Sequence, residues 1–452
     1  MDLKNKRTLV VGSGLSGIAA VKLLSKYEAN ITIFDSNTNA KKEDIMGKLE
    51  SGTEVNIVLG ELSTDQIGQF DYVVLSPGVP TDLPFINTMR ENGIPILGEI
   101  ELAYQFAKGK MIAITGTNGK TTTTALVGEI MKAYFESVYV VGNIGMPYTN
   151  IALDTTNSTV TVAEMSSFQL ETIDEFKPEV SAILNITPDH LNRHHTMENY
   201  IEAKINITKN QDCLETCVLN FEDETLRKAA KEIKAKVVYF SSQRELESGV
   251  FLKQNDIIYR DKDTNILVCS IHELKLLGTH NYENVMAAIA MSVAIGVPME
   301  SIRKTIMSFV AVEHRIEYVA EKKGVKYYND SKGTNPDAAI KGIKAMITPT
   351  LLIGGGYDKG SEYEEWIQAF DGKVKYLVLL GQTKEKIADT ARECGFTNIV
   401  FAQTLKEAVE FCSTNAKEGD SVLLSPACAS WGMFKDYEER GRMFKEYVQE
   451  II

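Results

Sequence analysis

The sequence has no apolar run approaching the ~18 residues that a membrane-spanning helix needs. That argues against helical insertion into a bilayer. Cysteine is scarce and scattered, with six in 452 residues (Cys213, Cys217, Cys269, Cys394, Cys412, Cys428), so no disulfide framework is expected. The closest pair, Cys213 and Cys217, has no neighbouring His or Cys to complete a zinc site. Reduced thiols in a cytosolic protein are the plain reading. Positive charge is in the minority, 48 Lys and Arg against 61 Asp and Glu, for a net −13. Nucleic acid is therefore not expected as a partner, because phosphate backbones need a net basic face. Small anions remain possible, since local groups hold them. The first residues, MDLKNKRTLVVGSG, pass from charge to a short apolar strand and then to glycines. They have no signal-type apolar segment, and a cytoplasmic protein is expected. Internal repeats and low-complexity tracts are lacking as well.

What is present is alternation. Apolar strands at residues 7–11, 30–34 and 71–75 enclose a helical pattern at 17–27. A second strand–loop–helix unit opens at 111–115, with further strands at 137–141, 159–163 and 180–184. A polar stretch at 241–263 reads as a small β excursion, and 282–295 as a helix. A third unit carries strands at 325–329, 350–353, 376–380, 399–401 and 421–424. The expectation is an α/β protein of three domains: Rossmann-like (1–98), a central parallel sheet with a phosphate loop (99–311), and a second Rossmann-like domain (312–452).

Two glycine-rich loops carry the chemistry. Residues 12–17 fit GxGxxG between a strand and a helix, where glycines let a backbone approach a pyrophosphate. Asp35, after the second strand, could accept a hydrogen bond from a ribose or a base. A dinucleotide, or only a tight turn, would satisfy the same pattern. The second loop is more specific. Gly116, Thr117, Asn118, Gly119, Lys120, Thr121 and Thr122 resemble a shortened P-loop, with Ile114 where its first glycine would stand. Backbone N–H groups cradle phosphates, Lys120 neutralises β/γ oxygens and Thr121 offers a hydroxyl to Mg²⁺. An NAD-dependent oxidoreductase would leave this second loop unexplained.

Three side chains could converge on it. Glu164 ends an apolar strand, on the side where such sheets meet ligands. His190 follows another strand and can bind metal or position a phosphate. Its neighbours His194 and His195 have no zinc-like spacing and read as solvent-facing. By composition, Lys204 reads as a surface lysine.

The ordered motifs resemble the Mur ligase family along the whole chain. They are GTNGKT at 116–121; His280, Asn281 and Asn284 with Ala287 and Ala288; the pair His314 and Arg315; and NDSKGTN at 329–335. Three features resemble the D-glutamate-adding members. These are the N-terminal GxGxxG with Asp35, the turn Ser76-Pro77-Gly78-Val79, and residues 424–430 continued through Phe434 and Tyr437 to Arg440 and Gly441. Tyr437 stands where some members have Phe, and Trp431 and Gly432 also depart from the pattern.

The resemblance implies an ATP-dependent amide ligase of cell-wall precursor synthesis. Gly14, Leu15, Ser16, Gly17, Asp35, Ser36, Ser76, Pro77, Gly78, Asn143, Ser166 and Gln169 would hold UDP-N-acetylmuramoyl-L-alanine. The phosphate loop with Asn281, Asn284, Arg315, Asp330 and Lys332 would hold ATP. Thr121 and Glu164 would bind one Mg²⁺, and His190 with Lys204 as a CO₂-derived carbamate would bind another. His190, Thr334, Lys359, Ser430 and Tyr437 would meet D-glutamate. Lys120, His190, Lys204 and Lys332 would carry catalysis, in a monomer whose last domain closes about a hinge near residue 312. Alternatives are another ligase of the Mur or folylpolyglutamate type, or a nucleotide-binding module without turnover.

Overall fold

The computed structural model describes all residues except Asp263, Ala311, Val312, Lys359 and Ile452, and all their side chains except those of Thr64 and Asn192. The hinge expected near residue 312 thus lies outside the described residues. The chain forms two compact units. One comprises residues 1–269 and 283–306, the other residues 270–282 and 307–452.

The first unit holds two sheets. In the first sheet the strands are β1 (Arg7–Val11), β2 (Asn30–Asp35), β3 (Val55–Leu59), β4 (Tyr72–Leu75) and β5 (Ile96–Gly98). Their order is β3-β2-β1-β4-β5, all parallel. The order reverses between β1 and β4, so the chain leaves Val11 and Leu75 on either side of a crevice. That is where ligands sit in open α/β sheets.

The second sheet contains β6 (Lys110–Thr115), β7 (Val138–Gly142), β8 (Val160–Glu164), β9 (Val180–Ile183), β10 (Thr216–Asn220), β11 (Lys236–Ser241), β12 (Gly249–Lys253), β13 (Asp256–Asp261) and β14 (Thr264–Ser270). Their order is β14-β13-β12-β11-β10-β9-β6-β8-β7. The stretch read as a small excursion instead extends this sheet, turning antiparallel at β12–β13. Every residue of β8 and β9 is buried, which is why both read as unbroken apolar runs. Since β9, β6 and β8 are neighbours, the chain segments after Ile183, Thr115 and Glu164 emerge side by side. The two sheets are joined through Glu101 on the helix Glu99–Tyr104. Its buried carboxylate accepts the backbone N–H groups of Asp174 (2.8 Å), Glu175 (3.1 Å) and Phe176 (3.1 Å).

The second unit is built on β15 (Glu317–Lys322), β16 (Val325–Asn329), β17 (Thr350–Gly354), β18 (Val374–Leu379), β19 (Ile399–Phe401) and β20 (Ser421–Leu424). The order is β15-β16-β20-β17-β18-β19, parallel except for β15 on β16. The helix Tyr437–Gln449 is tied to the end of β16 by Arg440, which is 2% exposed. Its guanidinium donates to Ser331 Oγ (2.9 Å), Ser331 O (2.8 Å) and Cys428 O (3.2 Å). Burial lowers its pKa to about 10, so it stays charged at neutral pH. Arg440→Met leaves these acceptors without donors. It is expected to cost roughly 3 kcal/mol in the unfolding of this unit, as followed by denaturant titration.

Candidate active site

Loop geometry at the end of β6 follows from two glycines. Gly116 and Gly119 have φ of 151° and 85°, in the region that disfavours side chains. A Cβ on Gly119 would stand 2.3 Å from Asn284 Oδ1. The loop is braced by the segment after β9. Thr117 N–H donates to Asn185 O (2.9 Å) and Asn118 N–H to Asn185 Oδ1 (2.8 Å). The Thr117 hydroxyl reaches Thr187 O (3.1 Å) and Tyr200 OH (3.0 Å). The helix Lys120–Lys132 begins here, and its first internal bond is Thr123 N–H to Gly119 O at 3.0 Å. The N–H groups of Thr121 and Thr122 precede that bond, so they face the loop as an anion site. Thr122 is buried, so only its backbone can serve a ligand. Lys120 Nζ lies over the loop, donating to Gly116 O (2.8 Å) and Thr117 O (2.9 Å). Gly119→Ala is expected to raise KM for ATP at least about tenfold and cost about 1–2 kcal/mol. Initial-rate titration and thermal melting check this.

Beside the loop, Glu164 is 1% exposed. Asn143 Nδ2 donates to its Oε1 at 2.8 Å, while Oε2 is buried with no hydrogen-bond partner among the described residues. A buried carboxylate oxygen without a donor is costly, and a cation would relieve it. No three His, Cys, Asp or Glu side chains converge as a metal cage among the described residues. Magnesium does not require one, because it keeps waters and takes one or two carboxylates plus phosphates. Glu164 fits that pattern, with the half-buried Thr121 at the helix start.

Lys204 overturns its surface reading. It lies on the helix Met197–Ile205 at 2% exposure, with Nζ donating to Gly116 O at 2.9 Å and 4.7 Å from the Tyr200 ring centroid. Burial, aided by the charge of Lys120 and opposed by Asp189, lowers its pKa to about 7. A neutral amine, which CO₂ addition requires, is therefore accessible at ordinary pH. His190 sits exposed at φ 51°, its ring 5.0 Å edge-on from Phe168. Of its two neighbouring histidines, His195 is exposed as expected. His194 is not: it is buried, with Nε2 2.9 Å from Ser167 Oγ and Nδ1 3.2 Å from Glu171. Helix packing against Phe168 and Tyr200 buries it.

At the first sheet's crevice, each glycine of the GxGxxG turn has a distinct task. Gly12 has φ 100°, and a Cβ on Gly17 would stand 1.9 Å from Gly12 O. Gly14 faces open space, leaving room for a ligand to approach the backbone. Leu15 is exposed and Ser16 half-buried. Asp35 is turned inward, accepting Ser13 N–H (2.9 Å), Ser13 O–H (2.5 Å) and Asn37 N–H (3.0 Å). Burial pushes its pKa up, but these donors hold it below the usual value. Ser36 follows it, exposed. Ser76, Pro77, Val79 and Thr81 line a narrow cleft with Phe168 and Gln169. Ser166 and Gln169 form a reciprocal capping box, with Gln169 Oε1 accepting Ser166 N–H at 2.9 Å. Sequence reasoning assigned these two, and Asn143, to substrate. The structure gives each a partner within the protein.

In the second unit, Asp330 is buried between Ser425 O–H (2.6 Å) and Ile316 N–H (3.3 Å), and burial raises its pKa to about 7. His314 and Asn329 are also buried, 2.9 Å apart. Their chain neighbours are more open: Arg315 is exposed and Lys332 half-buried, its Nζ 5.6 Å from the Tyr437 ring centroid. Ser430 is buried and Thr334 half-buried. Asn281 donates to Leu277 O at 2.8 Å. Lys359 lies outside the described residues.

Family models match in three consecutive stretches: "Mur ligase MurD-like, N-terminal domain" at residues 6–98, "Mur ligase middle domain" at 114–292, and "Mur ligase, glutamate ligase domain" at 314–428. A relative from Lachnoclostridium phytofermentans is 61% identical, the match covering 100% of this chain and 99% of the relative. One from Clostridioides difficile strain 630 is 47% identical, covering 100% of both. Both are named UDP-N-acetylmuramoylalanine–D-glutamate ligase. Among solved structures, UDP-N-acetylmuramate-alanine ligase MurC from Thermotoga maritima matches with TM-score 0.58 at 20% identity, covering 98% of this chain and 99% of that one. The MurF ligase of the same organism, in complex with ADP, matches with TM-score 0.56 at 18% identity, covering 99% and 96%. At such identities these two speak for the fold alone, but the full-length relatives reach further: the chain belongs to the Mur ligase family, grouped with the relatives named UDP-N-acetylmuramoylalanine–D-glutamate ligase.

Proposed function

We propose that the protein joins D-glutamate to UDP-N-acetylmuramoyl-L-alanine at the expense of ATP, in peptidoglycan precursor synthesis. The observation that carries this reading is the phosphate loop of residues 116–122 with the buried, half-partnered Glu164 beside it. The full-length identity to ligases of that name supports the choice of substrates.

A carboxylate cannot acylate an amine directly, because oxide is too poor a leaving group. Attack of an alanyl carboxylate oxygen on the γ-phosphorus of ATP expels ADP and gives an acyl phosphate. The amine of D-glutamate then attacks the acyl carbon, and phosphate leaves with the former carboxylate oxygen. Both steps crowd anions: two unit charges at 4 Å repel by about 4 kcal/mol at an effective dielectric of 20. Lys120 and Lys332 offset this, and the N–H groups of Thr121 and Thr122 at the helix start add a fixed positive field. Thr121 and Glu164 would hold Mg²⁺, which would supply further charge for the transferred phosphoryl group. Lys204, as a carbamate, would become an oxygen donor with His190 towards a second Mg²⁺. His190 also orients the acyl phosphate or takes a proton from the incoming ammonium.

The remaining assignments follow the same reading. Asn281, Asn284, Arg315 and Asp330 belong with ATP. Gly14, Leu15, Ser16, Gly17, Asp35, Ser36, Ser76, Pro77, Gly78, Asn143, Ser166 and Gln169 belong with the muramoyl nucleotide. Thr334, Lys359, Ser430 and Tyr437, with His190, belong with D-glutamate. The domains run 1–98, 99–311 and 312–452, in a cytoplasmic monomer. No helix among the described residues is long and apolar enough to cross a membrane.

The test is ADP formation with UDP-N-acetylmuramoyl-L-alanine and a panel of amino acids. D-Glutamate alone should support turnover. Selection of another amino acid would transfer the chain to a different ligase activity, and ATP binding without turnover would make it a binding module.

A further inference from the structure

Between the nucleotide turn of the first sheet and the segment carrying His190 lies a group of side chains that the proposed chemistry leaves unused. Arg193 is 12% exposed and Glu171 16%. Arg193 Nη2 donates to Glu171 Oε2 at 2.7 Å and to Val79 O at 3.0 Å. Thr81 O–H donates to the same Glu171 oxygen at 3.2 Å. Glu171 Oε1 faces His194 Nδ1 at 3.2 Å, and His195 pairs with Asp82 at 3.1 Å. The Arg193 guanidinium also lies 5.1 Å from the centroid of Phe168. Phe168 in turn meets the His190 ring edge-on and stacks on His194.

Three sequence-distant segments therefore share one half-buried ion pair. They are the turn at 76–82, the helix Ser167–Leu170 with Glu171, and the segment at 190–195. A guanidinium suits this place because its fixed fork reaches a carboxylate and a carbonyl while its flat face covers an aromatic ring. The turn and Phe168 line the same narrow cleft. We infer that Arg193 and Glu171 are positioning residues that couple binding of the muramoyl nucleotide against the Ser76–Val79 turn to the placement of His190. This rests on the proposed function. A ligand that presses on the Ser76–Val79 turn shifts Val79 O and Thr81, and the ion pair passes the shift to Phe168 and His190.

The experiment uses the full chain and steady-state ADP formation, with wild-type turnover measured first so that failure of the functional reading shows separately. Arg193→Met should raise KM for UDP-N-acetylmuramoyl-L-alanine about tenfold, lower kcat about tenfold and leave KM for ATP within twofold. A merely structural role would lower the active fraction but leave both KM values alone. In a His190→Asn background the loss in kcat from Arg193→Met should shrink to twofold or less, because the two changes act on one step. Arg193→Lys keeps the charge on Glu171 and should recover part of the loss. If Arg193→Met does not fold, Thr81→Val tests the same contact at the rim, with a two- to threefold rise in the muramoyl nucleotide KM expected. Equal kcat losses with and without His190, or an unchanged muramoyl nucleotide KM in the folded variants, overturns the inference.

Discussion

Lys204→Met is expected to cut turnover by about a thousandfold or more while making the protein more stable at neutral pH. The two effects share one cause. The ammonium is 2% exposed and its pKa is lowered to about 7. The unfolded chain, with a value near 10.5, binds more protons between those limits. Stability from this group is therefore fully present only above the unfolded pKa, and it is lost as pH falls through the folded one. At pH 7 the penalty is on the order of a few kcal/mol, since each pKa unit corresponds to about 1.4 kcal/mol. Methionine removes it at little cost in packing. Gly116 O, which Lys204 leaves, still receives the Lys120 ammonium. Thermal melts in CO₂-free buffer should show the variant ahead of the wild type at pH 7, with the gap closing towards pH 10. Turnover should fall for Lys204→Ala as well, and Lys204→Arg should not restore it, because a guanidinium does not form a carbamate under these conditions. Wild-type turnover should rise with added bicarbonate at fixed pH. A fully active alanine variant removes Lys204 from the mechanism.

Glu164→Gln is the second large effect. Glutamine keeps the shape and can still accept from Asn143 Nδ2 at the position of Oε1. It replaces the unpartnered oxygen by an amide nitrogen, which cannot bind a cation, and removes the charge. Loss of about 10²–10³ in kcat is expected, together with a higher magnesium concentration at half-maximal rate. Folding should be unharmed or improved, because a neutral amide costs less to bury than an unpaired carboxylate. An unchanged magnesium dependence would move the metal elsewhere.

How much of this was legible in the sequence depends on the range of the interaction involved. The phosphate loop could be read because its task is local: glycines at 116 and 119 and a lysine at 120 are spaced by the geometry of one turn. Glu164 could be read because it ends a strand whose burial writes an apolar run before it. The edge strands β3 and β15 escaped notice, being mostly half exposed, and β5, being three residues long; β10 escaped too, although it is buried inside its sheet. Lys204 was misread because its burial is set by Tyr200 on its own helix and by Gly116, 88 residues away. His194 was misread for the same reason, since its partners Ser167 and Glu171 lie on another element. The brace from Asn185 and Thr187 escaped notice because its contacts join residues 67 to 70 apart in the chain. In the motif at 329–335, residue identity marks a constraint without saying which kind. Asn329 and Ser331 are interior, and Lys332 is half exposed.

Oxygen transfer is the most direct measurement of the central chemistry. The alanyl carboxylate of UDP-N-acetylmuramoyl-L-alanine is labelled with ¹⁸O and turned over with ATP, magnesium and D-glutamate. Inorganic phosphate is then examined by mass. If the terminal phosphoryl group of ATP activates that carboxylate, one labelled oxygen per amide formed appears in the released phosphate. Unlabelled phosphate formed alongside the amide would contradict the account.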